Sequence, residues 1–156
     1  WSSHLSAAGL VRRGPLGDQP VTFGTGLLYR LELPSGWQPT LRLLWATAPD
    51  RGASTDYYVL GALGGVGYRW QRGPLKWRIE ALAGYEHLFQ SELEGESRNS
   101  GSFTYLASLG GSFSFGDLEL HLDAGGGGRL FKVREEGTVH SVDLQLLLGF
   151  GWRWEH

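Results

Sequence analysis

Apolar and polar residues alternate with a period of two along most of the chain. Between Val21 and Leu33 the odd positions are mainly apolar, whereas the even positions are mainly small or charged. Successive side chains of a β-strand point to opposite faces, so this alternation predicts a strand with one apolar face. Six further segments repeat the pattern, and a weaker segment with small residues lies near the start. The predicted strands cover residues 3–13, 20–33, 39–48, 56–71, 75–90, 102–115, 118–133 and 139–154.

Turn signals separate these strands. Gly116-Asp117 predicts a two-residue hairpin turn, and Glu135-Glu136-Gly137 predicts a three-residue hairpin with glycine at the left-handed position. The polar stretch from Ser91 to Gly101 predicts a longer loop. Eight consecutive antiparallel strands without a helical segment indicate an all-β fold, namely an eight-stranded antiparallel up-and-down barrel. We expect residues 1–156 to form this single domain, in a mature or trimmed form because the chain opens on Trp1 without a signal peptide.

The size of the apolar face decides which way it points. It carries about forty residues, many of them aromatic, whereas an eight-stranded barrel has an interior only wide enough for side chains to fill. The apolar face is therefore predicted to point outward into lipid, as in a transmembrane barrel. The alternative is a soluble barrel of the lipocalin kind, which hides its apolar face inside.

The amino-acid composition excludes some kinds of binding partner and some kinds of site. The chain has no cysteine, so a disulfide framework and a thiolate metal site are both excluded. A net charge of -2 does not favour nucleic acid as a partner. No apolar run approaches the ~20 residues of a membrane-spanning helix. Much of the glycine, which numbers 25 residues, lies on the polar strand face, where it makes room for charged side chains.

The polar face predicts an interior charge network. Seven cations and six carboxylates lie on it, so the interior is nearly neutral, as paired buried charges require. With the hairpin at residues 135–137, Arg129 falls opposite Asp143 and predicts an ion pair. The predicted network, which is also the candidate pore lining, comprises Arg30, Glu32, Arg42, Arg69, Lys76, Arg78, Glu80, Glu86, Glu119, His121, Asp123, Arg129, Asp143 and Arg153.

Aromatic residues predict two membrane-interface girdles. Amphipathic rings favour the level of the lipid headgroups, and short turns are typical of the periplasmic end of a membrane barrel. We therefore expect periplasmic termini and longer extracellular loops. The girdle near the termini would contain Trp1, Trp37, Trp70, Trp77, Trp152 and Trp154, and the opposite girdle Trp45, Tyr57, Tyr58, Tyr85, Phe89, Phe103 and Tyr105.

The alternation, the girdles, the loop asymmetry and the closing pattern Phe150-x-Trp152-x-Trp154 resemble the small eight-stranded outer-membrane proteins of Gram-negative bacteria, such as the OmpA transmembrane domain and OmpX. The resemblance implies a location in the outer membrane and contact with lipopolysaccharide. It also implies that the barrel-assembly machinery reads Phe150, Trp152 and Trp154. Glu155 and His156 extend past the usual terminal aromatic residue of this family, so we expect them to be additions.

Several residues suggest chemistry. The triplet Glu119, His121 and Asp123 shares one strand face, and the turn at Gly116-Asp117 places Ser112 opposite His121 and Ser114 opposite Glu119. This resembles a Ser-His-Asp arrangement or a metal site, but an interior hydrogen-bond network is favoured, since a narrow lumen offers no evident oxyanion hole or substrate access. No cofactor is expected.

Two further features suggest sites of interaction. His87 is the histidine placed to suggest a lipid-modifying activity, but a role in the girdle is favoured. The acidic residues Glu92, Glu94 and Glu96 would bind cations or a protein partner, although a solvated loop is the default. In the strand segment Gly125 to Gly128, glycine is expected to relieve crowding.

Three functions follow as hypotheses. The leading one is a structural, anchoring or surface-interaction protein that acts through its extracellular loops. The first alternative is a narrow or gated channel, opened by rearranged pairs among Lys76, Arg78, Glu80, Glu119, Asp123 and Arg153. The second is an enzyme that modifies outer-membrane lipid, in the manner of lipid A deacylases and palmitoyl transferases.

Overall fold

The protein folds into a closed eight-stranded antiparallel barrel. The structure is a computed structural model and describes residues 1–13, 21–48, 55–92, 97–133 and 137–156. Each strand pairs with its neighbours in chain order, and β8 pairs with β1 to close the barrel, which confirms the predicted fold. The strands are β1 (Ser2–Arg13), β2 (Thr22–Glu32), β3 (Trp37–Ala48), β4 (Thr55–Arg72), β5 (Leu75–Glu92), β6 (Ser97–Phe115), β7 (Leu118–Val133) and β8 (Gly137–Glu155).

Within the described residues, no helix has the length and apolar character needed to cross a membrane.

Strands β5 and β6 are longer than the sequence predicts. Their ladder continues to the pair Ser91 with Ser97, so most of the predicted loop from Ser91 to Gly101 is strand. Backbone pairing does not need apolar side chains, so a strand can continue past the point where the apolar alternation stops. Glu94 and Glu96 lie outside the described residues.

Short turns join the strands at the end of the barrel where the two chain termini lie, which we call the terminus end; the opposite end is the loop end. Gly36, Gly73 and Gly116 occupy these turns with φ of 87°, 64° and 63°, a conformation that favours glycine. The two-residue turn at Gly116-Asp117 sets the predicted register, in which Ser112 pairs with His121.

The register between β7 and β8 differs from the prediction. Gly137 already belongs to β8 and pairs with Val133, so the connection is shifted by one residue from the predicted hairpin. Arg129 consequently lies opposite Ser141, and Asp143 lies opposite Gly127. The predicted direct opposition of Arg129 and Asp143 is therefore wrong by two residues.

The two faces of the barrel differ as the alternation predicts. Large apolar side chains such as Leu27, Leu60, Leu144 and Phe150 are exposed on the outside. The inside contains most of the buried charged residues. Sealing charges inside and exposing apolar side chains outside is the inverse of a soluble barrel.

The interior also contains an apolar layer that the alternation did not predict. Ten buried apolar side chains form one cluster, which we call the apolar belt. Its members are Ala8, Leu10, Leu28, Leu44, Ala46, Val59, Leu63, Leu82, Leu106 and Leu147.

Candidate functional site in the barrel interior

A network of ion pairs fills the interior near the terminus end. We call this network the lower cluster, and every one of its members is linked to another by a nitrogen–oxygen distance of at most 3.8 Å. The lower cluster comprises His4, Arg30, Glu32, Arg42, Arg69, Lys76, Arg78, Glu80, Glu119 and Asp123.

Glu80 on β5 is the acceptor shared by three guanidinium groups. Arg30 Nε donates a hydrogen bond of 2.6 Å to Glu80 Oε1, and Arg42 Nη2 lies 3.4 Å from Oε2. Arg78 Nε lies 3.7 Å from Oε1. Arg78 also places Nη2 at 2.6 and 2.5 Å from the two carboxylate oxygens of Asp123. These contacts join β2, β3, β5 and β7 across the lumen.

Glu32 and Glu119 occupy the outermost part of the lower cluster. Glu32 accepts hydrogen bonds from Ser2 Oγ at 3.0 Å and Gln38 Nε2 at 2.9 Å, and Arg69 Nη1 lies 2.7 Å from its second oxygen. Glu119 lies 3.5 Å from Lys76 Nζ. The carboxylates at this mouth of the barrel are therefore already neutralised by cations of the chain.

A second, separate set of charges lies near the loop end. This upper cluster consists of Arg12, Glu86, Arg129 and Asp143. Arg12 donates two hydrogen bonds of 2.8 Å to the two carboxylate oxygens of Glu86, and Arg12 Nε lies 3.4 Å from Asp143. Arg129 Nη2 lies 3.1 Å from Asp143 Oδ2, so the predicted pair does form, on the diagonal rather than directly across the strands.

The apolar belt lies between the two clusters. On β1, Ala8 and Leu10 lie between His4 and Arg12, and on β5 Leu82 lies between Glu80 and Glu86. No ion pair among the described residues joins one cluster to the other. The interior is thus divided into a lower charged layer, an apolar layer and an upper charged layer.

Glycine creates the space that the lower cluster needs. A Cβ at Gly110 would overlap Oδ1 of Asp123, and a Cβ at Gly67 would lie 2.9 Å from Cγ of Glu80. Both glycines face inward, opposite or next to a buried carboxylate. The glycine surplus on the polar face is consequently a steric requirement of the charged interior.

The structure places the predicted network residues in the lower or the upper cluster, apart from His121 and Arg153. His121 is buried, but neither of its ring nitrogens has a hydrogen-bond partner among the described residues. Arg153 lies at the rim, partly exposed, and pairs with Glu155 at 3.4 Å. The sequence interpretation missed His4 and Arg12, because β1 was recognised only as a weak strand of small residues. Its alternation of inward His4, Ala8 and Arg12 with outward leucine and valine was the available signal.

The structure places the predicted girdle residues on the outer surface. Most of these rings are exposed, and Trp77 is half-buried. Trp37 contacts Tyr68 edge-on at a centroid distance of 5.4 Å. The side chain of Tyr57 lies outside the described residues. The exposed members are Trp1, Trp37, Trp45, Tyr58, Trp70, Tyr85, Phe89, Phe103, Tyr105, Trp152 and Trp154.

Ser112, His121 and Asp123 do not form a chain of hydrogen bonds. Neither ring nitrogen of His121 has a hydrogen-bond partner within the part of the chain that the structure describes. Asp123 binds Arg78 instead. A Ser-His-Asp mechanism needs the histidine bonded to both neighbours, so this arrangement lacks the geometry for nucleophilic catalysis.

His4, Glu32 and Glu119 place potential ligand atoms within 4.8 Å of one another, which invites comparison with a metal centre. His4 Nε2 lies 3.2 Å from Glu32 and Nδ1 lies 3.8 Å from Glu119, so the ring sits between the two carboxylates. Arg69 and Lys76 contact the same carboxylates. The positive charges of Arg69 and Lys76 would repel a divalent cation bound here, so the donor set does not suit a metal ion.

His87 lies on the outer face, half-buried, with its ring 4.5 Å from that of Phe89. This contact is an aromatic packing contact near the loop end and brings no nucleophile or acid to the histidine.

Solved structures with this architecture come from bacterial outer membranes. Neisserial surface protein A matches with a TM-score of 0.68 at 16% identity, over 98% of this chain and 96% of that one. Ail, the attachment invasion locus protein of Yersinia pestis, matches with a TM-score of 0.60 at 18% identity, over 98% and 97%. The N-terminal β-barrel domain of Pseudomonas aeruginosa OprF matches with a TM-score of 0.57 at 12% identity, over 97% of each chain.

The fold is that of the small outer-membrane β-barrels. No protein-family model and no curated protein matches the sequence. At these identities the similarity shows the backbone fold alone.

Proposed function

We propose that the protein is a closed outer-membrane barrel that serves as a structural or anchoring unit and presents its extracellular loops for interaction. The observation that carries this proposal is the sealed interior: two compact charge clusters separated by the apolar belt. Such an interior stabilises a rigid barrel, and the belt interrupts the polar path between the two clusters of described residues.

The apolar belt argues against a conducting pore. An ion crossing it would leave water without meeting a compensating group, which is costly, and hydrophobic constrictions in channels stop conduction by excluding water. The pairs that would rearrange in a gated channel, such as Arg78 with Asp123, all lie in the lower cluster or at the rim. Rearranging those pairs would leave the belt in place.

The outer surface supports a position in a membrane. Exposed leucine, valine and aromatic side chains surround the barrel, and aromatic residues such as Trp152 and Tyr58 lie toward its two ends. We propose that these rings form the interface girdles, that lipopolysaccharide surrounds the loop end, and that the termini are periplasmic. Phe150, Trp152 and Trp154 remain the proposed signal for the barrel-assembly machinery.

Surface interaction is proposed by analogy with the structural neighbours. One crystal structure of Ail holds the heparin analogue sucrose octasulfate. A barrel of this size has little internal volume for a ligand, so loops at its outer end are the natural place for a partner.

Planar bilayer recordings test the closed interior. The purified protein should first show the mobility change on heating that is typical of a folded membrane barrel on a gel. It should then leave the bilayer electrically silent. Reproducible conductance steps that scale with protein concentration would sink the closed-barrel proposal and favour the channel.

Epitope insertion tests the orientation. A tag inserted between residues 93 and 96 should be labelled on intact cells, whereas the same tag inserted at Gly116-Asp117 should be labelled only after the outer membrane is opened. The reverse pattern would show that the termini lie outside.

A further inference from the structure

The lower cluster carries more positive than negative charge. Its carboxylates are Glu32, Glu80, Glu119 and Asp123, four in all. Its lysine and arginine side chains number five, namely Arg30, Arg42, Arg69, Lys76 and Arg78. The upper cluster is balanced by comparison, with two arginines and two carboxylates. The lower cluster therefore has one more lysine or arginine than it has carboxylates, before any protonation of His4 is counted.

Arg42 is the buried arginine of this cluster with two unpartnered donor atoms. Its side chain is 1% exposed, and its one contact with a carboxylate within the described residues is Nη2 at 3.4 Å from Glu80. Glu80 already accepts the 2.6 Å hydrogen bond of Arg30. The Nε and Nη1 atoms of Arg42 have no hydrogen-bond partner in the described part of the chain. A buried charge is stable only when it is paired and hydrogen-bonded, and the one long contact with Glu80 leaves two donors of this guanidinium unsatisfied.

Other buried donors in the same layer also lack partners. Arg30 Nη2 and Arg78 Nε make no hydrogen bond to the described residues, and neither does either ring nitrogen of His121. A neutral imidazole always carries one N–H, so His121 contributes at least one of these donors. The unpartnered atoms of this layer that can accept are Gln38 Oε1, the hydroxyl of Ser108 opposite Glu80, and the second ring nitrogen of a neutral His121. The unpartnered donors of the three arginines and His121 outnumber these acceptors.

We propose that the lower cluster binds a small monovalent inorganic anion of the halide class, held by the Nε and Nη1 donors of Arg42. The excess of one charge sets the charge of the ligand. Glu80 and Asp123 face the same space, so a polyanion such as phosphate would meet carboxylates at short range. A halide accepts hydrogen bonds from several directions and demands no fixed geometry, which suits donors that arrive from different strands.

The terminus end offers the route of entry. An open cavity of about 350 Å³ lies there, lined in part by Ser2, Glu32, Arg69 and Arg153. The two arginines are partly exposed and give this mouth cationic walls. The apolar belt closes the other side of the layer, so the anion would enter and leave by this mouth.

Bromide soaking tests the site on the unaltered protein. Bromide replaces chloride and has a strong anomalous signal, so crystals grown without halide and soaked in sodium bromide should show an anomalous peak in contact with the Arg42 guanidinium. A difference map with water alone at Arg42, and no anomalous peak there, would overturn the proposal.

Halide nuclear magnetic resonance tests it in solution. The folded protein in detergent micelles should broaden the ³⁵Cl signal of sodium chloride in a saturable manner, and bromide should compete where gluconate does not. This saturable part should be lost in Arg42→Met, which removes the charge and keeps the length, and weakened in Arg42→Lys, which keeps the charge without the Nε and Nη1 donors. Arg12→Lys, which alters a fully paired arginine of the upper cluster, is the matched control and should behave as the unaltered protein.

Persistent saturable broadening in folded Arg42→Met would show that the anion binds elsewhere and would overturn the assignment. If Arg42→Met does not reach the folded, heat-modifiable form, the bromide map of the unaltered protein decides the question alone. Neither result depends on whether the barrel conducts.

Discussion

Arg12 and Glu86 meet across the full width of the barrel. They belong to β1 and β5, which are four strands apart in a ring of eight, and two hydrogen bonds of 2.8 Å join the guanidinium to the carboxylate. Both side chains are almost completely buried. A pair of this kind ties opposite walls together and fixes two long side chains in one geometry.

We expect Arg12→Gln to lower the free energy of unfolding by about 3–5 kcal/mol, because it leaves the buried carboxylate of Glu86 uncompensated. Urea unfolding in detergent micelles measures the change. Arg13→Gln is the matched control, since Arg13 is the exposed neighbour on the same strand, and it should shift the value by less than about 0.5 kcal/mol.

Replacing both partners distinguishes the contribution of the ion pair to stability from the contribution of the volume that the two side chains fill. Arg12→Met combined with Glu86→Leu should restore most of the stability lost in Arg12→Gln, since a buried pair exchanged for apolar side chains of similar volume is often neutral. If the double variant is less stable than Arg12→Gln, the pair itself is a net source of stability.

Glu80 should be the most sensitive carboxylate of the lower cluster. Glu80→Gln removes the shared acceptor of Arg30, Arg42 and Arg78, so we expect a loss of about 3–5 kcal/mol in the free energy of unfolding. Glu155→Gln removes a carboxylate that is 78% exposed and should cost less than about 1 kcal/mol in the same urea titration. Equal losses of unfolding free energy in Glu80→Gln and Glu155→Gln would mean that the stability of the network does not depend on Glu80.

Two consecutive glycines of β4 should respond in opposite ways to alanine. A Cβ at Gly65 would overlap the backbone oxygen of Ala81, whereas a Cβ at Gly64 would meet no atom within 4 Å. Gly65→Ala should therefore lower the stability by about 1–3 kcal/mol through strain. Gly64→Ala should leave it unchanged or raise it by up to about 1 kcal/mol, because alanine restricts the unfolded chain.

The yield of heat-modifiable barrel and the urea midpoint report both glycine variants. Equal behaviour of Gly64→Ala and Gly65→Ala would show that the interior yields to an added methyl group, contrary to the close approach of the two strands.

Opening the apolar belt should create a conducting path. Leu63 on β4 and Leu147 on β8 lie on opposite walls and are fully buried. The variant carrying Leu63→Ser and Leu147→Ser should admit water between the two charge clusters and give small conductance steps in a planar bilayer. The matched control, Leu60→Ser with Leu148→Ser on the outer face, should stay silent. Silence of both variants would place the barrier in the charge clusters instead.

The alternation of residues was sufficient to predict the strands, their antiparallel order and the outward direction of the apolar face. It failed where neighbouring positions are both apolar. Leu27 and Leu28, or Leu43 and Leu44, belong to opposite faces, yet the sequence alone shows only two leucines in a row. The inward member of each doublet belongs to the apolar belt, which is why the belt escaped prediction.

Register limited the prediction of individual pairs. The hairpin at Gly116-Asp117 has a turn whose length the residues reveal, so the pair of Ser112 with His121 was correct. The β7–β8 connection was misplaced by one residue, which moved Asp143 by two positions relative to Arg129. Long side chains still bring these two charges together, because an arginine reaches diagonal neighbours on the same face.

The sequence by itself determined that the chain forms a barrel with lipid-facing apolar residues and a nearly neutral interior. The period of two and the volume of the apolar face require this, and neither depends on where along the barrel axis a given side chain lies. Only the tertiary structure decided how the interior charges are grouped. Partners such as Arg12 and Glu86 are 74 residues apart in sequence, and closure of the barrel brings them within hydrogen-bond distance. The position of each side chain along the axis of the closed ring then separates the two charge clusters by the apolar belt and leaves two donors of Arg42 without a hydrogen-bond partner among the described residues.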